Sequence, residues 1–554
     1  MNTTDAAGSR TPDVDMLVVG AGFGGLRLIH EARQRGLSVR VCETGTNVGG
    51  TWYWNRYPGA RTDSESWVYC FSFDKDLLQE WNWSERFPPQ AETEAYLRHA
   101  AERFDMLDNI QFRTRVTSAV YDERTNLWTV STDAGDVITC RFFVTATGLI
   151  TVPKEPPFPG LDKFQGAWYQ TPRWPKEPVD LVGKRVVVVG TGASGIQVIP
   201  VVAQSASQVT VMQRTPSYSI PGRNFPLTDV HRAEIKRNYD AIWEQARHQA
   251  FAFPIETPNR FWDDVTPEEA QRVFEAGWES GGFRFIFETF DDILTTQECN
   301  DAASEFVRNK IRTIVKDPET AELLCPKNHP LGGKRIPLGH FYYESFNRDN
   351  VSLVDVKANP ISEITPTGIR LQDGEEYEAD VIVFAIGFDV VTGAITNIDV
   401  RGRGDVALKQ RWADQRPQTY LGLCEADFPN MFMLSGPQST YGNLPTVLDA
   451  QTRFIGRAIE FMHNGGHDRI EVTSDAARAW AEHCEAIQNA TVIPQGAAAG
   501  SYLVGADSPG KANVLWHFGG AHKFFDEMDE VADQGFKTFV FEDVRDASDS
   551  APHV

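Results

Sequence analysis

Residues 16–25 read MLVVGAGFGG, and residues 185–195 read RVVVVGTGASG. Each is a short apolar strand running into a G-x-G-x-x-G turn. The first glycine (Gly20, Gly190) makes the tight turn and the second (Gly22, Gly192) lets the backbone approach a pyrophosphate. The third (Gly25, Gly195) lets the following helix pack on the strand, with the diphosphate at the helix N-terminus. After the first turn, Leu26 to Arg35 reads as a helix and Leu37 to Cys42 as a second strand ending at Glu43. After the second, a helix leads to a strand from Val209 to Gln213 that ends at Arg214. One such turn says little. Two, each in a complete strand–turn–helix–strand setting, predict an α/β fold with two Rossmann-like dinucleotide-binding domains.

The copies differ at the end of the second strand. Glu43 lies 23 residues after Gly20, and Arg214 lies 24 after Gly190. A carboxylate there accepts both ribose hydroxyls, which suits FAD or NAD. A cation suits a 2′-phosphate, so the second site is expected to take NADPH. Thr215 and Lys334 are candidates to add to that phosphate grip. FAD in the first site and NADPH in the second follow. Flavin electrons then need an acceptor. The seven cysteines contain no Cys-x-x-Cys, and no haem or iron–sulfur signature occurs, which leaves O2.

The rest of the chain organises around these turns. Residues 1–150 are expected to begin the FAD domain and 151–226 the NADP domain. A helical insert is expected over 227–328, from the spacing of Ile235, Tyr239, Ile242 and Ala246 and a capping box at Thr266 and Glu269. Residues 329–384 should return to the NADP domain, and 385–554 to the FAD domain with a C-terminal region. The 53 basic against 76 acidic residues give a net charge of −23, which disfavours nucleic acid as a partner. No run of about 18 apolar residues occurs, so no membrane span is expected. The opening MNTTDAAGSRTPDVD lacks the form of a signal peptide. A cytoplasmic monomer or small homo-oligomer is the expectation. No metal is expected, since His231, His340 and His467 show no ligand spacing. Serine hydrolase and kinase motifs are absent.

Further motifs carry a resemblance. GTWYWNRYPGARTD spans 50–63, and FQGAWYQTPRWP spans 164–175 between the two glycine turns. TGASGIQ spans 191–197, and Arg214-Thr215, Lys334-Arg335, YYESFNRDN (342–350) and AIGFD (385–389) follow in order. Together they resemble the type I Baeyer–Villiger monooxygenases. GGFRFIFETFDDI (281–293) and GNLP (442–445) are most similar to the cyclohexanone monooxygenase branch. The resemblance covers roughly 15 to 550.

It implies an NADPH- and O2-dependent flavin monooxygenase that inserts one oxygen next to the carbonyl of a ketone, expected to be cyclic, through a C4a-peroxyflavin. The product is a lactone or ester. By motif match, Arg335 is the catalytic cation that keeps the peroxide deprotonated, and Asp63 orients it. Alone, each would read as a surface ion pair and a turn residue. Phe23, Gly50, Thr51, Trp52, Tyr69 and Val116 match positions around the flavin. Arg61, Thr62 and Asp63 match positions near the nicotinamide end. Thr191, Ala193, Ser194 and Gln197 belong to the second cofactor motif. Trp52 and Tyr69 also suit plain core. Tyr441 and Leu444 fall in the loop that lines the ketone pocket in the cyclohexanone branch, with a solvent-covered loop as the other reading.

Two positions depart from the family. Gln170 stands where the hallmark has histidine, so the residue cannot titrate near neutrality. Fastening the crossover between domains is the role expected of it. Tyr502 stands where tryptophan usually packs on the nicotinamide ribose. Two alternatives remain at this stage. One is a flavin-containing monooxygenase that oxygenates sulfur or nitrogen, against which the Trp174-Pro175 ending counts. The other is a non-catalytic FAD/NADPH-binding protein.

Overall fold

The strand Val14–Val19 lies between Val39–Cys42 and Val137–Thr145 and runs parallel to both. A strand flanked on both edges and covered on both faces must be apolar throughout, which is why MLVV shows no alternation. In the computed structural model, residues 11–506 and 514–543 are described. The reading of the extreme N-terminus falls largely on residues 1–10, outside them.

The first sheet has eight strands. Its order is Asp399–Arg401, Val116–Asp122, Leu127–Thr132, Val137–Thr145, Val14–Val19, Val39–Cys42 and Ile110–Gln111, and Met431–Met433 pairs in parallel with Val137–Thr145. Two of its strands therefore come from a point more than 250 residues further along the chain than their partners. The helix Phe23–Gln34 covers one face and packs on the long helix Leu444–Asn464.

The second sheet has five strands, all parallel, in the order Val351–Asp355, Gln208–Gln213, Arg185–Val189, Val381–Phe384 and Ala167–Gln170. Between its third and fourth strands in chain order the chain forms helices from Asp229–Arg237 to Pro318–Leu324. The chain passes between the sheets twice, and the two passages pair as an antiparallel ribbon, Val152–Pro153 with Phe388–Asp389.

Two local expectations change. The apolar series from Ile235 to Ala246 is two helices, Asp229–Arg237 and Tyr239–His248. Asn238 breaks it at φ −107°, ψ 10°, its N–H closing the first helix on Glu234 and Ile235. Only half the box at Thr266 forms: its hydroxyl accepts from the Glu269 N–H, and the reciprocal bond is absent. The reciprocal box lies instead at Thr228 and His231.

The third glycine of the first turn has no room for a side chain. A Cβ on Gly25 would lie 1.9 Å from the carbonyl oxygen of Gly20. Gly25→Ala should therefore force helix and strand apart and cost about 3 kcal/mol. A thermal melt identical to the parent's would contradict this.

Candidate active site

The two glycine turns face one cavity of about 1530 Å³. Each turn begins with a left-handed glycine, Gly20 at φ +108° and Gly190 at φ +111°, where a Cβ would strike the backbone of Ala146 or Ala385. Gly192 differs, since nothing lies within 4 Å of its Cβ position. That open space is what a closely approaching pyrophosphate needs. The helices behind the turns, Phe23–Gln34 and Ala193–Val202, start at Gly22 and Gly192 without a side-chain cap or an acidic residue in the first turn. Their free N–H groups and positive dipole ends face the cavity and suit a diphosphate.

The Glu43 carboxylate is held at the end of its strand, where Oε2 accepts from the Ala21 N–H at 2.8 Å and Oε1 from the Gly45 N–H at 2.6 Å. It lines the cavity beside the first turn, with Thr114 and Val116. At the second turn Arg214, Thr215 and Lys334 line the same cavity. Burial, and then the like charge of Arg214, draw the Lys334 ammonium down to about 8. Two cations this close form a site for a dianion.

Between the turns, Arg335 donates to Asp63 Oδ2 at 2.6 Å. Asp63 is buried and its Oδ1 makes no hydrogen bond among the described residues. Burial raises the Asp63 carboxyl pKa, an effect that Arg335 only partly offsets. For Arg335, burial opposes the charge, but the Asp63 carboxylate outweighs it and holds the guanidinium protonated. A fixed cation braced by a buried carboxylate thus lines the space between two dinucleotide cradles, and these residues fit FAD and NADPH.

Residues 14–226 match the flavin-binding monooxygenase-like family. Over 531 residues the chain is 44% identical to a Baeyer–Villiger monooxygenase of Pseudooceanicola batsensis, covering 95% of this chain and 96% of that one. It is 41% identical to the phenazine N-monooxygenase PhzNO1 of Lysobacter antibioticus, over 95% of this chain and 96% of the other. Among solved structures, cyclohexanone monooxygenase from Rhodococcus sp. Phi1 bound to NADP+ superposes with a TM-score of 0.93. It is 41% identical and covers 96% of this chain and all of that one. The chain belongs to the Baeyer–Villiger monooxygenases.

The remaining candidates of this Baeyer–Villiger monooxygenase fall around the same cavity. Phe23, Gly50, Thr51, Trp52, Arg61, Thr62, Tyr69, Thr191, Ala193, Ser194, Gln197, Tyr441, Leu444 and Tyr502 line it. Gly25 and Gly195 do not; each packs under its own turn. Trp52 donates from Nε1 to the Tyr69 hydroxyl at 3.2 Å, and the rings meet edge to face. Both also belong to the core, so the two readings of these aromatics hold together. Gln197 is a strut: its Oε1 accepts from the Tyr57 hydroxyl at 2.8 Å and its Nε2 donates to the Arg61 carbonyl at 3.1 Å. It ties the segment after the first turn to the second sheet's helix.

Gln170 does not line the cavity. It is buried on the edge strand of the second sheet, donating from Nε2 to the Lys154 carbonyl and accepting at Oε1 from Arg173, each at 3.1 Å. The Lys154 N–H in turn donates to the Gly387 carbonyl at 3.0 Å. Sequence reasoning missed the apolar wall of the pocket. Phe251 and Phe287 stack at 4.2 Å, Phe253 lies 5.7 Å from Phe287, and Trp516 and Phe518 pack against Tyr441, which also meets Phe251. The cluster FRFIF at 283–287 was the available signal, though its helical spacing does not show which faces turn inward.

Proposed function

We propose that this enzyme converts a cyclic ketone into a lactone, with FAD on the Gly20–Gly25 turn and NADPH on the Gly190–Gly195 turn. When bound, the flavin supplies electron acceptance from NADPH and the activation of O2. The observation that carries the reading is the Arg335–Asp63 pair, set where both cradles and an aromatic pocket meet. Arg335 presents a permanent positive charge to the reacting centre and stabilises negative charge that develops there. Asp63 fixes the guanidinium and keeps its net charge from being left unbalanced in a buried place. Arg214 and Lys334 hold the 2′-phosphate. Phe251, Phe287 and their neighbours exclude water from the ketone. The soft, flat wall suits rings better than linear chains.

Purified enzyme given NADPH, ¹⁸O₂ and a panel of cyclic ketones should yield a lactone carrying one labelled oxygen by gas chromatography–mass spectrometry. NADPH consumption without any labelled ester would refute the proposal. The relative that acts on a phenazine supports a second reading, oxygenation of a ring nitrogen, so the panel includes an aromatic N-heterocycle. Labelled N-oxide with no lactone would favour it.

Gln170 supports pH-independent fastening of the ribbon between the sheets. Gln170→His should leave ketone turnover within about threefold. Gln170→Leu removes the bonds to the Lys154 carbonyl and to Arg173 and should cost about 1–3 kcal/mol, read as a lower melting temperature and less lactone per NADPH consumed. A large rise in turnover for Gln170→His would overturn the fastening role.

A further inference from the structure

Beside the aromatic part of the pocket wall, Tyr441 and Tyr502 line the cavity together with Arg335. Tyr441 is held firmly. It follows the short strand Ser439–Thr440, which pairs with Trp516–His517, and its own N–H donates to the His517 carbonyl at 3.3 Å. Its ring meets Trp516 edge to face at 5.2 Å, Phe518 at 5.8 Å and Phe251 at 6.4 Å. Three aromatic contacts from two separate parts of the chain therefore fix the direction of its C–O bond. Asn443 locks the chain just beyond, its N–H donating to the Phe251 carbonyl and its side chain to the Val68 carbonyl.

Tyr441, Tyr502 and Arg335 line one cavity, and the guanidinium and the Tyr502 hydroxyl both act electrostatically on the Tyr441 phenol. Burial raises the Tyr441 pKa, so the phenol stays neutral. Arginine has donors only, so any bond it makes to the phenol uses the phenol oxygen as acceptor and leaves the phenol proton for Tyr502 or for an acceptor in the cavity. An O–H whose oxygen already accepts from a cation is a stronger donor.

We propose that Tyr441, steadied by Tyr502, donates a hydrogen bond to the substrate carbonyl oxygen and thereby sets which flanking carbon faces the reacting centre. This rests on the ketone reading above. It makes Tyr441 a substrate-orienting residue, distinct from the charge supplied by Arg335. The ring alone serves as wall; the hydroxyl serves as the pin. For an unsymmetrical ketone, the pin decides between two regioisomeric lactones.

The test uses enzyme loaded with FAD and NADP+ and two readouts. The first is the dissociation constant of ε-caprolactam, a non-reacting cyclic amide with a strong carbonyl acceptor, by calorimetry. Tyr441→Phe keeps the ring and should weaken binding about five- to tenfold, the range of one neutral hydrogen bond. Tyr502→Phe should weaken it less. The second is the regioisomer ratio from a 2-substituted cyclic ketone, expected to shift at least about fivefold in Tyr441→Phe. Equal lactam affinity in parent and Tyr441→Phe, or an unchanged ratio, would overturn the proposal. If the parent makes no lactone from any ketone but the lactam still discriminates, the carbonyl-binding role stands and the oxygenation reading fails.

Discussion

Arg335→Met is expected to lower lactone formation by about 10²–10³-fold, the usual loss when one preorganised electrostatic contact is removed. Bleaching of the flavin by NADPH should persist, because the glycine turns and the Arg214–Lys334 pair are untouched. NADPH consumption would then go largely into hydrogen peroxide. The variant also carries a stability signature. Asp63 is buried and Arg335 is its ion-pair partner, and a buried carboxylate stripped of its partner costs about 3–5 kcal/mol. The Asp63 carboxyl is already raised by burial, and losing Arg335 raises it further. A carboxyl whose folded pKa is raised stabilises the fold below its unfolded pKa, and that stability is lost as pH rises through the folded value. The melting deficit of Arg335→Met should therefore be small near pH 4 and grow toward pH 7. Adding Asp63→Asn should recover most of the deficit without restoring lactone formation. Full oxygenation by Arg335→Met, measured as product per NADPH, would remove Arg335 from the chemistry.

The second large effect concerns the coenzyme. Arg214→Ala should raise the NADPH KM about 10²-fold while leaving that for NADH within about twofold, as expected for loss of a charge-assisted contact to phosphate. Lys334→Ala should act in the same direction. The Lys334 pKa near 8 adds a pH dependence. A bound 2′-phosphate favours the ammonium form, so affinity is full below about 8 and falls as pH rises above it, by up to tenfold per unit. The fall applies to NADPH and not to NADH. Calorimetry in buffers of different ionisation enthalpy should detect proton uptake on NADPH binding near pH 8. Parallel pH profiles for the two coenzymes would contradict the assignment.

The sequence makes the glycine turns legible because their requirement is local: a left-handed φ at Gly20 and Gly190, and no Cβ at Gly25 and Gly195. Glu43 and Arg214 are legible for a related reason, since a fixed number of residues separates them from the turn. The aromatic wall is not legible in this way. Phe251, Phe287, Tyr441 and Trp516 come from four separate stretches, and only tertiary contact turns them toward one space. Spacing marks Ile235 to Ala246 as helical but not where a helix stops, and the backbone at Asn238 divides the series in two, because a 3.6-residue periodicity does not register a local break. Gln197 belongs to a recognisable motif, but its strut role depends on Tyr57 and Arg61 approaching from elsewhere.

The split origin of the first sheet has a consequence for birth on the ribosome. Val14–Val19 and its neighbours emerge early, yet Asp399–Arg401 and Met431–Met433 must arrive before that sheet is whole. The all-parallel sheet closes sooner, once Val381–Phe384 has joined Arg185–Val189. The later-encoded half should thus mature first, while the N-terminal strands wait with an open edge exposed to aggregation. Nascent chains stalled far enough past residue 390 for Val381–Phe384 to have left the ribosome should resist protease across 185–384 and remain cleavable across 14–145.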